Sequence, residues 1–248
     1  MIILSILFFI TAILYSSVGF GGGSTYLALL LIWDIPYYIF PVIALLCNII
    51  VVSGNSFNYI RAGNHNFKLI LPFLMGSVPL AFFGGTLKID KDIFEILLFF
   101  VLSIAGILLL INNKSYENNN LIIKKLNFLI SLAIGSVLGL ISGIVGIGGG
   151  IFLSPILFLL KAEKPKIIVT TASLFILVNS ISGVFGQLTK ENIITEISNY
   201  IPLFICVFLG GLLGNYLNLK IFTSRVLAVI TALLVMFVSI RMGIRIFL

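Results

Sequence analysis

Two glycine clusters carry the most distinctive chemistry of the chain: 18–23 (VGFGGG) and 145–150 (VGIGGG). They lie 127 positions apart and match at five of six residues. Three adjacent glycines in an apolar stretch cost a helix about 1 kcal/mol each. They also permit a sharp reversal and let a ligand approach bare backbone. Ser24 and Thr25 follow the first cluster and are suited to cap a short helix of about 24–33. After the second, Ser154-Pro155 offers a cap and a first-turn residue, and a start at Ile151 is the alternative. A half-helix that begins at such a break aims free N–H groups and its positive dipole end into the protein, which attracts anions. The plainer role for such glycines is close helix packing. Duplication, with a short apolar run after each copy, favours the functional break. Gly21, Gly22, Gly23, Gly148, Gly149 and Gly150 are therefore candidate substrate-binding positions.

Neutral polar residues follow each cluster. Asn48, Ser53, Asn55, Ser56 and Asn58 lie in the first half. Thr170, Thr171, Ser173, Asn179, Ser180, Ser182 and Gln187 lie in the second. Asn48 and Asn55 are one heptad apart and share a helix face, as are Ser173 and Ser180. Each serves for interhelical hydrogen bonding, worth about 0.6 kcal/mol per contact on average; as a set they suit a polar path without fixed charge. Asn48 has no duplicate, since the 127 offset lands on Phe175. The donors added to the candidate site are Ser24, Thr25, Asn48, Thr171, Ser173 and Asn179.

Other chemistries lack their residues. The single histidine, His65, lies in a polar stretch, and Cys47 and Cys206 lie in apolar runs, so no metal site or disulfide framework is expected. No serine has a membrane-embedded base, no phosphate loop exists, and no aspartyl pair lies within a span. The expectation is no enzyme, no cofactor and no metal. All eight acids fall in loops or first turns. An acid at the bilayer centre usually marks cation or proton traffic, so a neutral cavity with basic rims suits a small anion better. Glu95, the acid nearest a span, is a weak candidate for proton coupling.

The elements that position these residues are set by hydropathy. Of 248 residues, 60% are hydrophobic and 9% charged, with net charge +7 and mean hydropathy +1.25. Soluble domains average about 45–50% apolar and about 25% charged. The chain is thus read as an all-α polytopic membrane protein whose partners are the lipid bilayer and a small anionic substrate. The dispersed charge excludes a nucleic-acid partner, and a homo-oligomer stays open. Six stretches are long enough to cross: 38–60, 69–87, 93–111, 167–188, 199–217 and 222–246. Two longer ones, 1–33 and 126–160, are interrupted by the glycine clusters. The first carries no positive residue before its apolar run and reads as a retained helix.

The hydrophilic stretch NNKSYENNN reads as a linker, giving a first half 1–112, a linker 113–124 and a second half 125–248. LPFLMGSVPLAFFGGTL at 71–87 resembles IPLFICVFLGGLLGNYL at 201–217, with Pro72 on Pro202 and Gly84 on Gly214. Each half is a glycine-broken element plus three helices. If each broken element crosses once, lysines and arginines divide eight to seven between the two sides. If each enters and returns, they divide ten to five: Arg61, Lys68, Lys114, Lys124, Lys125, Lys161, Lys164, Lys166, Lys220 and Arg225 against Lys88, Lys91, Lys190, Arg241 and Arg245. Positive charge gathers on the cytoplasmic side. The re-entrant arrangement is preferred; it inverts the halves and leaves both termini outside the plasma (inner) membrane.

SSVGFGGGSTYLALLL and SGIVGIGGGIFLSPILFLL resemble the paired signatures of the sulfite exporter TauE/SafE family, also called the toluene-sulfonate uptake permease family. The likeness continues through TTASLFILVNSISGVFGQL and the matched 71–87 and 201–217 segments, covering nearly the whole chain. It implies a small permease with two related halves for sulfite, organosulfonates or related anions, with Gly21–Gly23 and Gly148–Gly150 forming substrate-proximal breaks. The first half departs where Ala28 stands in place of a counterpart to Pro155. The leading expectation is export by alternating access; a passive anion channel and a non-transporting scaffold are the rivals.

Overall fold

The computed structural model describes residues 1–17, 19–33, 35–111, 124, 126–190, 193–217, 233, 236, 237, 239, 240, 243 and 244. Ten α-helices follow one another among them: α1 (Ile2–Ser16), α2 (Gly23–Ile32), α3 (Phe40–Arg61), α4 (Phe67–Thr86), α5 (Lys91–Ile111), α6 (Phe128–Val145), α7 (Gly150–Leu159), α8 (Pro165–Gln187), α9 (Ile193–Ile197) and α10 (Ile201–Leu217). Tyr37–Ile39 and Ser198–Tyr200 form 3-10 turns that lead into α3 and α10. The protein is all-α, with no strand among the described residues. Five helical segments are long and apolar enough to cross a membrane: Tyr37–Arg61, Phe67–Thr86, Phe128–Val145, Pro165–Gln187 and Ile193–Tyr216. Both expected interruptions are present, between α1 and α2 and between α6 and α7. The short α9 has no signature in the hydropathy pattern. Of the expected span 222–246 the described residues are 233, 236, 237, 239, 240, 243 and 244, all helical; the rest of it, nearly all of the linker 113–124, and Asp34, Glu117 and Glu191 lie outside the described residues.

The surface is inverted relative to a soluble protein. Ile3, Leu71, Phe83, Phe100, Leu129, Leu212 and Tyr216 are exposed, whereas Asn48, Ser77, Ser142, Ser173, Asn179 and Gln187 are fully buried. An apolar perimeter around a polar interior suits hydrocarbon, where polar groups gain nothing by pointing outward. Cys47 is buried, Cys206 is half-buried, and both are free thiols.

Helix directions follow from which residues touch. A methyl placed on Gly135, Gly139 or Gly143 of α6 would overlap the carbonyls of Phe73, Ser77 and Ala81 of α4, so α4 and α6 run in parallel with backbones in contact. The small-residue spacing that permits this is the usual means of close approach in membranes. The same test on Gly210 and Gly214 meets the Phe9 and Ile13 carbonyls, making α10 parallel to α1. Ser182 Oγ donates to the Val78 carbonyl and Gly186 abuts Phe82, so α8 is parallel to α4. Ser56 pairs with Ser173 while Leu45 meets Gly183, so α3 and α8 are antiparallel. Val51 meets Gly211 and Asn58 bonds Asn215, so α3 and α10 are parallel. Helices α1, α3 and α10 thus point one way and α4, α6 and α8 the other.

Each glycine-broken element is a helical hairpin. Tyr15 Oη and Thr25 Oγ1 are hydrogen-bonded at 2.7 Å, and the Phe8 and Tyr26 rings lie 4.7 Å apart, so α2 returns along α1. In the second element Lys124 N, just before α6, donates to the Lys161 carbonyl beyond α7 at 3.0 Å. The chain therefore leaves α7 at the end where α6 begins.

Candidate functional site

Both half-helices start on a left-handed glycine: Gly22 (φ 82, ψ 6) ahead of α2 and Gly149 (φ 76, ψ −17) ahead of α7. Side chains disfavour that conformation by roughly 1–2 kcal/mol, which is why glycine stands there. Neither start has a side-chain cap. The expectation that Ser24 and Thr25 cap α2 is therefore corrected: both lie inside its first turn, and Thr25 spends its hydroxyl on Tyr15. The Ser154-Pro155 cap is corrected likewise, since both lie within α7. Pro155 lacks an N–H, so the Ile151 carbonyl goes without its helical donor. The leading N–H groups of each half-helix have no acceptor within their own helix.

The two breaks meet at Asn48, in α3. Asn48 Nδ2 donates to the Ile147 carbonyl of the second break at 3.1 Å. A methyl on Gly21 would lie 2.5 Å from Asn48 Oδ1; on Gly23, 2.7 Å from Nδ2 and 2.7 Å from the Ile147 carbonyl; on Gly148, 2.9 Å from Nδ2. One neutral amide therefore touches both breaks and closes the space between them. Asn48 Oδ1 has no hydrogen-bond partner and is fully buried. A buried acceptor left unpaired costs about 1–3 kcal/mol, and only a hydrogen-bond donor, such as water or the hydroxyl of a protonated oxyanion, would relieve it.

Helix α8 supplies the other wall, and the wall differs. Ile176 packs on Gly21, Gly148 and Gly150, and the Phe175 ring lies against Gly149. Ser180 Oγ, buried and unpartnered, stands beside Gly148. The structure thus brings together Gly21, Gly23, Gly148, Gly150 and Asn48, with Gly22 and Gly149 as the helix starts. It directs other candidates elsewhere. Thr171 Oγ1 bonds its own helix at the Ile167 carbonyl. Ser173 pairs with Ser56 at 3.1 Å. Asn179 Nδ2 donates to the Phe175 carbonyl, with Oδ1 unpartnered. Ser24 is buried in the first turn of α2. Ser180 and Ile147 join the cluster without having been in the candidate set. The heptad spacing from Ser173 marks Ser180; nothing local marks the Ile147 carbonyl.

From Asn48 a polar lane runs toward the C-terminal end of α3. It includes Asn55, the Ser56–Ser173 pair and Asn58, whose Nδ2 donates to Asn215 Oδ1 at 2.8 Å. Tyr59 lies against Gly19. Arg61 and Lys68 stand at this end, where Asn66 caps α4 through Lys68 N and Leu69 N and donates to Glu163. Glu95 is at the opposite end, ion-paired with Lys91 at 3.8 Å and away from the breaks. His65 lies in the loop after α3 beside Phe67, and no group of three metal-binding side chains occurs among the described residues.

The family model "Sulfite exporter TauE/SafE" matches residues 4–242. The chain is similar to "Probable membrane transporter protein y4hK" of Sinorhizobium fredii (strain NBRC 101917 / NGR234), with 25% identity over 237 residues covering 94% of each chain. It is also similar to "Probable membrane transporter protein YunE" of Bacillus subtilis (strain 168), with 22% identity over 263 residues covering 95% of this chain and 94% of the relative. No solved structure matches. A lipid-compatible helical body, paired glycine breaks in its interior and a family match across nearly the whole sequence converge, and the chain belongs to the sulfite exporter TauE/SafE family of multi-pass membrane transporters.

Proposed function

We propose that this transporter is a secondary permease for a small sulfur-containing anion of the sulfite or organosulfonate class, working in the export direction. The observation that carries the reading is the meeting of two uncapped half-helix starts at Asn48. Helix N-termini favour an anion by up to about 2 kcal/mol each in partly buried geometry, and their N–H groups bond its oxygens directly. Gly21, Gly22, Gly23, Gly148, Gly149 and Gly150 provide bare backbone, Asn48 and Ser180 the nearest side-chain polar groups. Ser24, Thr25, Thr171, Ser173 and Asn179 line the approach or brace it. No covalent step is required.

The halves 1–112 and 125–248 act as inverted repeats. Support comes from direction: α1, α3 and α4 are each opposed to their counterparts α6, α8 and α10. Packing is reciprocal as well, with α4 on α6 and α10 on α1. Transporters of this plan keep the site fixed near the midplane and rock one half against the other. Among the described residues, Arg61, Lys68, Lys124, Lys161, Lys164 and Lys166 stand at the C-terminal end of α3, and Lys88, Lys91 and Lys190 at its N-terminal end. That bias supports a cytoplasmic first end, the orientation in which both termini are external. The closed centre, with Asn48, Ser173 and Ser180 fully buried, favours a carrier over an open channel.

Purified protein in vesicles, offered sulfite, sulfate or ethanesulfonate, provides the test. The expected result is saturable flux of sulfite or ethanesulfonate, with labelled substrate exchanging against an unlabelled gradient. Flux that follows only the electrochemical gradient would assign a channel. No flux of any of the three would remove the permease reading.

A further inference from the structure

A cavity of about 370 Å³ opens at the end of the molecule opposite the polar lane. Tyr37, Pro41, Lys88, Phe94, Ile144 and Lys190 are among its walls. Its two lysines are brought together by helix packing. A methyl on Gly85 of α4 would lie 2.6 Å from the Gly183 carbonyl and 2.9 Å from Gln187 N of α8, so these parallel helices end side by side. Lys88 lies two residues beyond α4 and Lys190 three beyond α8. Lys190 is aimed by Gln187: its Nζ donates to Gln187 Oε1 at 2.8 Å, while Gln187 Nε2 holds the Gly143 carbonyl at 2.8 Å.

The cavity floor adjoins the second glycine break. Ile144 and Pro41 form part of it, and a methyl on Gly146 would lie 2.5 Å from Pro41 Cα. Two residues further, Gly148 is at Asn48. Neither lysine has an ion pair among the described residues, where Lys91–Glu95 is the one salt bridge. Of the acids at this end, Glu196 accepts a hydrogen bond from Tyr38, itself a wall residue, and keeps its charge without an ion pair to either lysine; Glu95 pairs with Lys91, and Asp90 and Asp92 are exposed; Glu191 lies outside the described residues. Burial and then the neighbouring Lys88 push the Lys190 ammonium down to about 8. Lys88 is exposed and Lys190 half-buried; neither ammonium has a counter-ion among the described residues, and an anion between them would offset their repulsion.

We infer that this dibasic cavity is a second anion-binding site, a vestibule that holds an oxyanion at the mouth leading to the second break. It rests on the permease reading only for its place on the path. Lys88 and Lys190 bind the anion as point charges, and Gln187 is a positioning residue that couples Lys190 to the last turn of α6. The competing role is neutralisation of the α4 and α8 C-terminal dipoles alone.

Amine-directed labelling of the purified protein, followed lysine by lysine by mass spectrometry, tests the site. Chloride, sulfate and ethanesulfonate are compared at one ionic strength. The expected result is that labelling of Lys88 and Lys190 slows about tenfold when sulfate or ethanesulfonate is present at roughly ten times its dissociation constant. Lys91 is unchanged, and Lys190→Gln removes the protection at Lys88. Equal rates in all three salts would overturn the inference and leave the lysines as dipole partners. Absence of vesicle flux would overturn the permease reading but not change these labelling rates, so the two failures are distinct.

Discussion

Asn48→Leu is expected to cut anion flux about a hundredfold while leaving the protein folded in the membrane. Leucine has the same branched heavy-atom skeleton but no donor, so it leaves the buried Ile147 carbonyl unpaired. A lost buried hydrogen bond of this kind costs about 1–3 kcal/mol, and about 2.7 kcal/mol is a hundredfold in rate. The cost falls on the conformation of the second break, whose amides form half of the proposed anion site. Asn48→Asp keeps the shape but adds negative charge at the proposed anion site, and is expected to do at least as much damage. Flux of sulfite into vesicles, normalised to inserted protein, measures both. Wild-type flux from Asn48→Leu would remove this amide from the transport site.

The second large effect is on stability. Gly143→Ala places a methyl on the Ala81 carbonyl and 2.9 Å from Gly85 N, backbone against backbone, with no flexible side chain to yield. Overpacking costs typically about 1–3 kcal/mol, and the upper end is expected at this contact. The thermal midpoint in detergent should fall clearly. Gly211→Ala is the matched control: its nearest outside atom is Val51 Cα at 3.8 Å, an ordinary contact. A midpoint for Gly143→Ala equal to that of Gly211→Ala would show that α4 and α6 do not touch through their backbones.

Much of this arrangement is legible in the sequence because hydrocarbon imposes few solutions. Runs of about 20 apolar residues become helices, so α3, α4, α5 and α8 appear nearly where hydropathy places them. The doubled glycine clusters mark both interruptions, since no other feature interrupts an apolar run twice in the same way. Helix starts are less legible. A serine before an apolar run is a familiar cap, yet a left-handed glycine serves without a side chain, so α2 begins at Gly23 and α7 at Gly150. The site itself depends on partners distant in sequence. Asn48 and Ile147 are 99 residues apart, and the bond is to a backbone carbonyl that every residue possesses. Gly135, Gly139 and Gly143 show the small-residue spacing of a close helix contact, but nothing local names α4 as the partner. Thr171, a candidate donor for substrate, bonds the turn before it, an option open to any threonine in a helix and invisible in residue type alone.

Selenate reports directly whether an anion rests where the two half-helix starts meet, as proposed, because selenium scatters anomalously and its oxyanion has the charge and shape of sulfate. Crystals of the protein grown with selenate should show an anomalous peak within hydrogen-bonding distance of backbone N–H groups in both 21–25 and 148–152, beside Asn48. A fully occupied peak elsewhere in the protein, with none between the breaks, would contradict the account.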